Sequence, residues 1–195
     1  TGSFSGNASL ELADIDGDLD LDVLTTAAGS DTVSWWSNDG TLGGQWGQTL
    51  VATGFDGASS AAAGDLDGDG SMDVVGAAEA ASDIMWWSND SGLGNAWSRE
   101  VIDGDFGGAR TVRTGDMDGD GDLDVAAAGY IEDEISWWEN NTVFAQPWVK
   151  TVIAGSFGGA TDLRLVDMDG DSDLDVIGAA EDDNDVAWWA NDGTG

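Results

Sequence analysis

An acidic block recurs four times along this 195-residue chain, and the interval between neighbouring copies is always 51 residues. The blocks begin at Asp14, Asp65, Asp116 and Asp167. Pairs of adjacent tryptophans keep the same interval, at Trp35-Trp36, Trp86-Trp87, Trp137-Trp138 and Trp188-Trp189. A unit that returns four times in unbroken phase predicts a repeat architecture, in which neighbouring units bury a shared core.

Each repeat unit reads as four short β-strands. In the third unit these strands are predicted at 109–116, 124–130, 134–140 and 147–155, and Gly, Asn or Asp residues bound them. The chain contains a single Pro, and no window of it shows sustained helical periodicity. Four short strands in a unit of this length are typical of a propeller blade. We therefore predict an all-β fold, a β-propeller of four-stranded antiparallel blades with one 51-residue repeat unit for each blade.

The repeats occupy nearly the whole chain, so we predict a single domain over residues 1–195. Its repeat units are expected at about 1–52, 53–103, 104–154 and 155–195. The last unit stops before its fourth strand, which leaves the final blade incomplete. Three arrangements follow: closure as a small four-unit ring, a homo-oligomer of two chains in an eight-bladed ring, or a larger chain that completes the propeller. The open end favours the second and third, because partial propellers often need partners to bury their ends.

The acidic blocks share a fixed internal pattern when residues are counted from the first Asp. Positions 1, 3, 5 and 9 are Asp in every copy, position 4 is always Gly, and position 7 varies. The residues at positions 1, 3, 5, 7 and 9 are Asp14, Asp16, Asp18, Asp20 and Asp22; Asp65, Asp67, Asp69, Ser71 and Asp73; Asp116, Asp118, Asp120, Asp122 and Asp124; and Asp167, Asp169, Asp171, Asp173 and Asp175. Alternate residues of a tight loop can direct carboxylates at one centre, and glycine permits the sharp turn. Such oxygen ligands suit Ca²⁺, and position 7 can ligate through its backbone carbonyl.

Carboxylates this close together repel one another unless a cation lies among them, so metal binding and folding are expected to be coupled. The loops differ from EF-hands because a strand follows them instead of a helix, and because position 12 is never Glu. That position holds Thr25, Gly76, Ala127 and Gly178. Mg²⁺ is disfavoured, since it rarely occupies an all-protein cage. The sequence therefore predicts about one Ca²⁺ for each repeat, four in total.

Phe-containing turns accompany the acidic loops: FDGA at Phe55, FGGA at Phe106 and Phe157, and a more distant FSGN at Phe4. Loops of the form D-x-D-G-D-x-x-x-D joined to such turns resemble the FG-GAP/VCBS repeats of integrin α-subunit propellers and their bacterial relatives. The resemblance covers nearly the whole chain. It implies a calcium-binding propeller with Ca²⁺ in every loop on one side, and with the aspartates given above as ligands. Propellers of this kind usually have seven blades, whereas this chain has four units.

The tryptophans have two interpretations. Adjacent strand residues face opposite sides of a sheet, so the rings of each pair are expected to face the preceding and the following blade. This indicates a core between blades, and the alternative is a stacking platform for sugars. Single tryptophans at Trp46, Trp97 and Trp148 lie near turns and are better candidates for exposed contacts.

Charge and composition restrict the partners and the chemistry. The chain has 39 acidic and 5 basic residues, a formal net charge of −34, which argues against nucleic acid and anionic membranes as partners. No apolar run approaches the length of a membrane span, so we expect no membrane insertion. The chain has neither Cys nor His, and without those nucleophiles and bases we expect no enzymatic activity.

These observations favour a calcium-stabilised binding or adhesion module that recognises a protein or glycan ligand. Millimolar extracellular Ca²⁺ suits loops of this kind, so the expected location is extracellular, either secreted or at the cell surface. Two alternatives stay open: a lectin that binds carbohydrate through the repeated Trp, and a structural repeat subunit of a filament or surface assembly. In each case the simplest role of the loops is to hold the blades together.

Overall fold

The computed structural model describes residues 5–6, 9–41, 44, 46–141 and 148–193, which form fifteen β-strands in four antiparallel sheets. The first sheet comprises β1 (Leu10–Ala13), β2 (Asp22–Ala27), β3 (Thr32–Ser37) and β4 (Gly47–Thr53). The second comprises β5 (Ala58–Gly64), β6 (Asp73–Ala78), β7 (Asp83–Ser88) and β8 (Ser98–Asp103). The third comprises β9 (Ala109–Gly115), β10 (Asp124–Gly129), β11 (Glu134–Asn140) and β12 (Trp148–Ala154). The fourth comprises β13 (Ala160–Val166), β14 (Asp175–Ala180) and β15 (Asp185–Trp189).

Each sheet is a meander whose strands are hydrogen-bonded in chain order. The acidic block connects the first and second strands of every sheet, and the tryptophan pair lies in the third strand. The register between second and third strands repeats in the pairs Val23 and Trp36, Val74 and Trp87, Val125 and Trp138, and Val176 and Trp189. The predicted all-β fold of antiparallel sheets is confirmed. Among the described residues, no helix is long and apolar enough to cross a membrane.

Neighbouring sheets pack through hydrophobic cores, and one such core lies at each of the three junctions. Sheets approach one another through their first strands: β5 lies against β1 and β2, β9 against β5 and β6, and β13 against β9 and β10. In the first core, Ile15 and Val33 of the first sheet meet Ala61 and Val74 of the second. The cores therefore belong to junctions between units.

Most tryptophans of the pairs pack in or against these cores, as the core interpretation predicts, whereas Trp188 is 47% exposed. Trp35 of the first sheet and Trp87 of the second share one core, and Trp137 of the third sheet contributes to the core with the fourth. In the second, third and fourth units, the second Trp of the pair contacts the Phe of the same unit edge to face. These contacts are Phe55–Trp87, Phe106–Trp138 and Phe157–Trp189, with ring centroids 5.1, 5.0 and 5.1 Å apart.

The two end sheets have uncovered faces. Leu10 on β1 is 72% exposed and Val186 on β15 is 71% exposed. Val112 and Ile135, which hold the same places in the third unit, are fully buried. The first and fourth sheets therefore do not pack on each other through these residues, and the described chain is an open row of four units. The four antiparallel sheets of three or four strands are present as predicted, whereas the described residues do not form the closed ring of a propeller.

Candidate metal centres

Each acidic loop is folded by its own carboxylates. In the third loop, the Asp116 carboxylate accepts hydrogen bonds from the N–H groups of Gly119 (2.8 Å) and Gly121 (3.2 Å). Both glycines have positive φ angles, 76° and 97°, which turn the chain back toward Asp116. The first aspartate of every other loop also accepts loop N–H groups. Local backbone bonding thus brings alternate aspartates toward one another.

Three carboxylates of every block converge. In each group, one oxygen atom from each residue lies within 4.8 Å of the others. The groups are Asp14, Asp16 and Asp18; Asp65, Asp67 and Asp73; Asp116, Asp118 and Asp124; and Asp167, Asp169 and Asp175. Positions 1 and 3 therefore take part in all four groups, position 9 in three and position 5 in one.

The aspartate at position 9 also ties its loop to the end of the third strand. Asp124 is 1% exposed, and its carboxylate accepts the N–H groups of Met117 and Asn140, both at 2.8 Å. The same two bonds occur in the other three units. Burial raises the pKa of Asp124 to about 7 and that of Asp73 to about 6. An uncompensated negative charge is unfavourable here, and a cation among the carboxylates would offset it.

An asparagine follows every tryptophan pair, and in the second, third and fourth units it links neighbouring units, which the sequence did not lead us to predict. Its side-chain amide donates to a loop carbonyl of the preceding unit: Asn89 to Ile15 (3.1 Å), Asn140 to Leu66 (2.7 Å) and Asn191 to Met117 (2.6 Å). The same amide also donates to a carbonyl of its own loop. The signal was present, because Asn recurs at the 51-residue interval.

The donor set fits Ca²⁺. Every converging group consists of carboxylates, the hard oxygen ligands that Ca²⁺ prefers. The buried Oδ1 atoms of Asp16 and Asp65 accept no hydrogen bond from the described residues, so each can accept a cation. Burial, followed by the charges of neighbouring aspartates, raises the pKa of Asp16.

The other predicted ligands lie outside these converging groups. They are Asp22 at position 9 of the first loop; Asp69, Asp120 and Asp171 at position 5; and Asp20, Ser71, Asp122 and Asp173 at position 7. Every position 5 carboxylate accepts the N–H of position 7, as Asp120 does from Asp122 at 2.9 Å. This bond fixes the backbone at position 7, and ligation through its carbonyl stays a prediction.

A groove between the first two sheets is a second candidate site. It is lined by residues 51–55 on one side and by Asp83, Trp87, Trp97 and Arg99 on the other. Burial raises the pKa of Asp83, while the charge of Arg99 opposes that rise. The groove thus places indole surface beside a carboxylate and a guanidinium group.

The single tryptophans have different environments. Trp97 is partly buried, and its Nε1 donates to the Gly94 carbonyl at 3.1 Å; the same carbonyl accepts Trp35 Nε1 at 2.8 Å. Trp148 is also partly buried, whereas Trp46 is 50% exposed. The prediction of exposed contacts therefore suits Trp46, while Trp97 offers only part of its surface to the groove.

The loops and turns described above match a known family model, the FG-GAP-like repeat, at residues 14–76, 65–127 and 116–178. These overlapping matches cover most of the chain. The chain belongs to the FG-GAP-like repeat family. The resemblance drawn from the sequence is confirmed.

Among solved structures, the FG-GAP-like chain is similar to an Agrocybe aegerita lectin described as specifically recognising non-reducing terminal N-acetylglucosamine. The TM-score is 0.67 at 23% sequence identity, and the match covers 97% of this chain and 50% of the lectin chain. The chain thus spans about half the length of that lectin, and the similarity establishes a shared fold. No curated protein sequence matches the chain.

Proposed function

We propose that this FG-GAP-like chain is a calcium-stabilised recognition module that binds a glycan. The groove beside Trp97 carries the proposal, because it combines indole surface with the charged groups of Asp83 and Arg99. A sugar can stack an apolar face on an indole while its hydroxyls bond to charged groups. The lectin that shares this fold favours a glycan over a protein as the ligand class.

Calcium would stabilise the loops that hold this scaffold together. Each loop joins the first two strands of its sheet, and its backbone also accepts the asparagine of the next unit in the three described junctions. A cation among the carboxylates removes their repulsion and so favours this folded arrangement. Calcium loops of this kind suit millimolar extracellular Ca²⁺, which supports a secreted or cell-surface location. Adhesion follows when the glycan belongs to another cell.

Calcium titration of an Asp118→Asn variant tests the metal assignment. Asp118 belongs to the third carboxylate group, so calorimetry is expected to count three Ca²⁺ per chain instead of four. Asp105→Asn removes the same charge from the same unit outside every group, and is expected to retain four. Chelation should also lower the melting temperature of the unmodified protein, since an ion at 100 times its Kd stabilises by about 2.7 kcal/mol per site. A melting temperature that EDTA leaves unchanged contradicts the assignment.

A glycan array, run with Ca²⁺ and with EDTA, tests the ligand class. We expect binding in Ca²⁺ and a loss of about tenfold or more in the Asp83→Asn variant, because hydrogen bonds to charged groups contribute about 1.5–3 kcal/mol. Asp105→Asn, an exposed site outside the groove, is expected to retain the affinity. Folded, calcium-loaded protein that binds no glycan would overturn the proposed function.

A further inference from the structure

The uncovered end faces of the row are the two halves of a junction that already occurs three times within the chain. We call the side of a sheet that contacts the next sheet its trailing face, and the side that contacts the preceding sheet its leading face. Trailing-face positions are buried in the first three sheets, where Val33, Ile84 and Ile135 are all 0% exposed. Their equivalent in the fourth sheet, Val186, is 71% exposed.

Two more positions show the same change on the trailing face. Trp35 and Trp137 are 3% and 4% exposed and Trp86 is partly buried, whereas Trp188 is 47% exposed. Met117 is 4% exposed, whereas Met168 is 50% exposed. The fourth sheet thus presents a contiguous set of apolar side chains that its counterparts bury against a neighbour.

The leading face of the first sheet is uncovered in the same way. Leu10 is 72% exposed, although the equivalent Ala61, Val112 and Leu163 are between 0% and 3% exposed. In every internal junction, the residue equivalent to Leu10 shares a core with the residue equivalent to Val186. These pairs are Ala61 with Val33, Val112 with Ile84, and Leu163 with Ile135.

Hydrogen bonding at the two ends is incomplete in a matching manner. At each internal junction an asparagine amide donates to a loop carbonyl of the preceding unit. The equivalent donor of the first unit is Asn38, whose side-chain amide donates only to Leu21 among the described residues. The equivalent acceptor of the fourth unit is the carbonyl of Met168, which receives no amide from the described residues. One end therefore has the spare donor and the other end the spare acceptor.

We propose that two copies of this chain associate head to tail, with the trailing face of each fourth sheet on the leading face of the partner's first sheet. Both contacts form together, so the pair closes into a ring of eight units and leaves no end face uncovered. Eight lies within the usual four to eight blades of a propeller, whereas three chains would exceed it. Non-closing head-to-tail contacts would instead produce filaments.

Sedimentation velocity in calcium-containing buffer tests this pairing. We expect a species of twice the 20.1 kDa mass of the chain. Val186→Arg places a charge in the contact and is expected to give single chains with an unchanged fold, because Val186 is already exposed. Val101→Arg is the matched control, since Val101 is 52% exposed on β8, a strand of an internal sheet, and its variant should remain paired. Single chains or long polymers of the unmodified protein, or a paired Val186→Arg variant, would overturn the proposal.

Cross-linking tests which faces meet. The chain has no cysteine, so Leu10→Cys and Val186→Cys variants each carry a single thiol. A short bismaleimide is expected to join the two variants when they are mixed, and to join neither variant to itself. Self-linking of either variant indicates like-to-like contact and would contradict the head-to-tail arrangement. Failure of the mixture to link, in protein that sediments as a pair, would also contradict it.

Discussion

The third and fourth sheets have the same sequence pattern and the same strand order, but their equivalent residues lie in different surroundings. Ile135 is fully buried, whereas Val186 is 71% exposed. Met117 is 4% exposed, whereas Met168 at the equivalent place is 50% exposed. The difference is the neighbour: a further sheet covers the third unit and none covers the fourth. In a repeat protein, the contribution of a residue to the free energy of unfolding thus depends largely on the unit that packs against it.

The largest expected difference between the two sheets concerns tryptophan. Trp137→Ala should lower the free energy of unfolding by about 3–5 kcal/mol, because it removes a large side chain from the core between the third and fourth sheets. Trp188→Ala, at the equivalent exposed place, should cost about 1 kcal/mol or less in single chains. Urea unfolding of dilute protein in Ca²⁺ measures both. Equal losses would show that the neighbouring sheet does not decide the value.

A smaller difference is expected for the linking asparagines. Asn140→Ala should cost about 1–3 kcal/mol, because it leaves the carbonyls of Leu66 and Leu123 without their amide donor. Asn38→Ala should cost less than about 1 kcal/mol, since among the described residues its side-chain amide donates a single, exposed hydrogen bond within its own unit. Chemical denaturation of the same dilute samples gives both values. A larger loss for Asn38→Ala than for Asn140→Ala would contradict the role of Asn140 as a link between units.

The smallest expected effect compares position 6 of the first and third loops. Leu19 has a φ of 75° and is 91% exposed, whereas glycine fills this left-handed position at Gly121. Leu19→Gly should raise the free energy of unfolding by about 0.5–1 kcal/mol, because it relieves backbone strain and removes no packing. Gly121→Ala should lower it by about 1 kcal/mol, since no atom lies within 4 Å of an added Cβ and only the backbone responds. Thermal unfolding followed by circular dichroism detects both shifts, and the same sign in both variants would exclude the strain argument.

The strands and the acidic loops could be predicted from sequence because the 51-residue period repeats each signal four times. The converging aspartates at positions 1 and 3 followed from spacing alone. The exposure of the end sheets could not be predicted locally, because Ile135 and Val186 occupy the same place in the same pattern. The hydrogen bonds that Asp124 accepts from two backbone N–H groups were also not predicted. In the sequence, an aspartate with this structural role cannot be distinguished from one that binds a metal.

The second residue of each of the first three acidic loops has a consequence for the proposed calcium binding. Leu66 donates its N–H to Asp73 of its own loop, and its carbonyl accepts the amide of Asn140 from the next unit. The backbone N–H of Asn140 in turn donates to Asp124. A continuous chain of hydrogen bonds therefore connects the carboxylate group of the second loop with that of the third. Occupancy of one loop is therefore expected to order its successor, and calcium uptake should be cooperative, with a titration steeper than that of four independent sites.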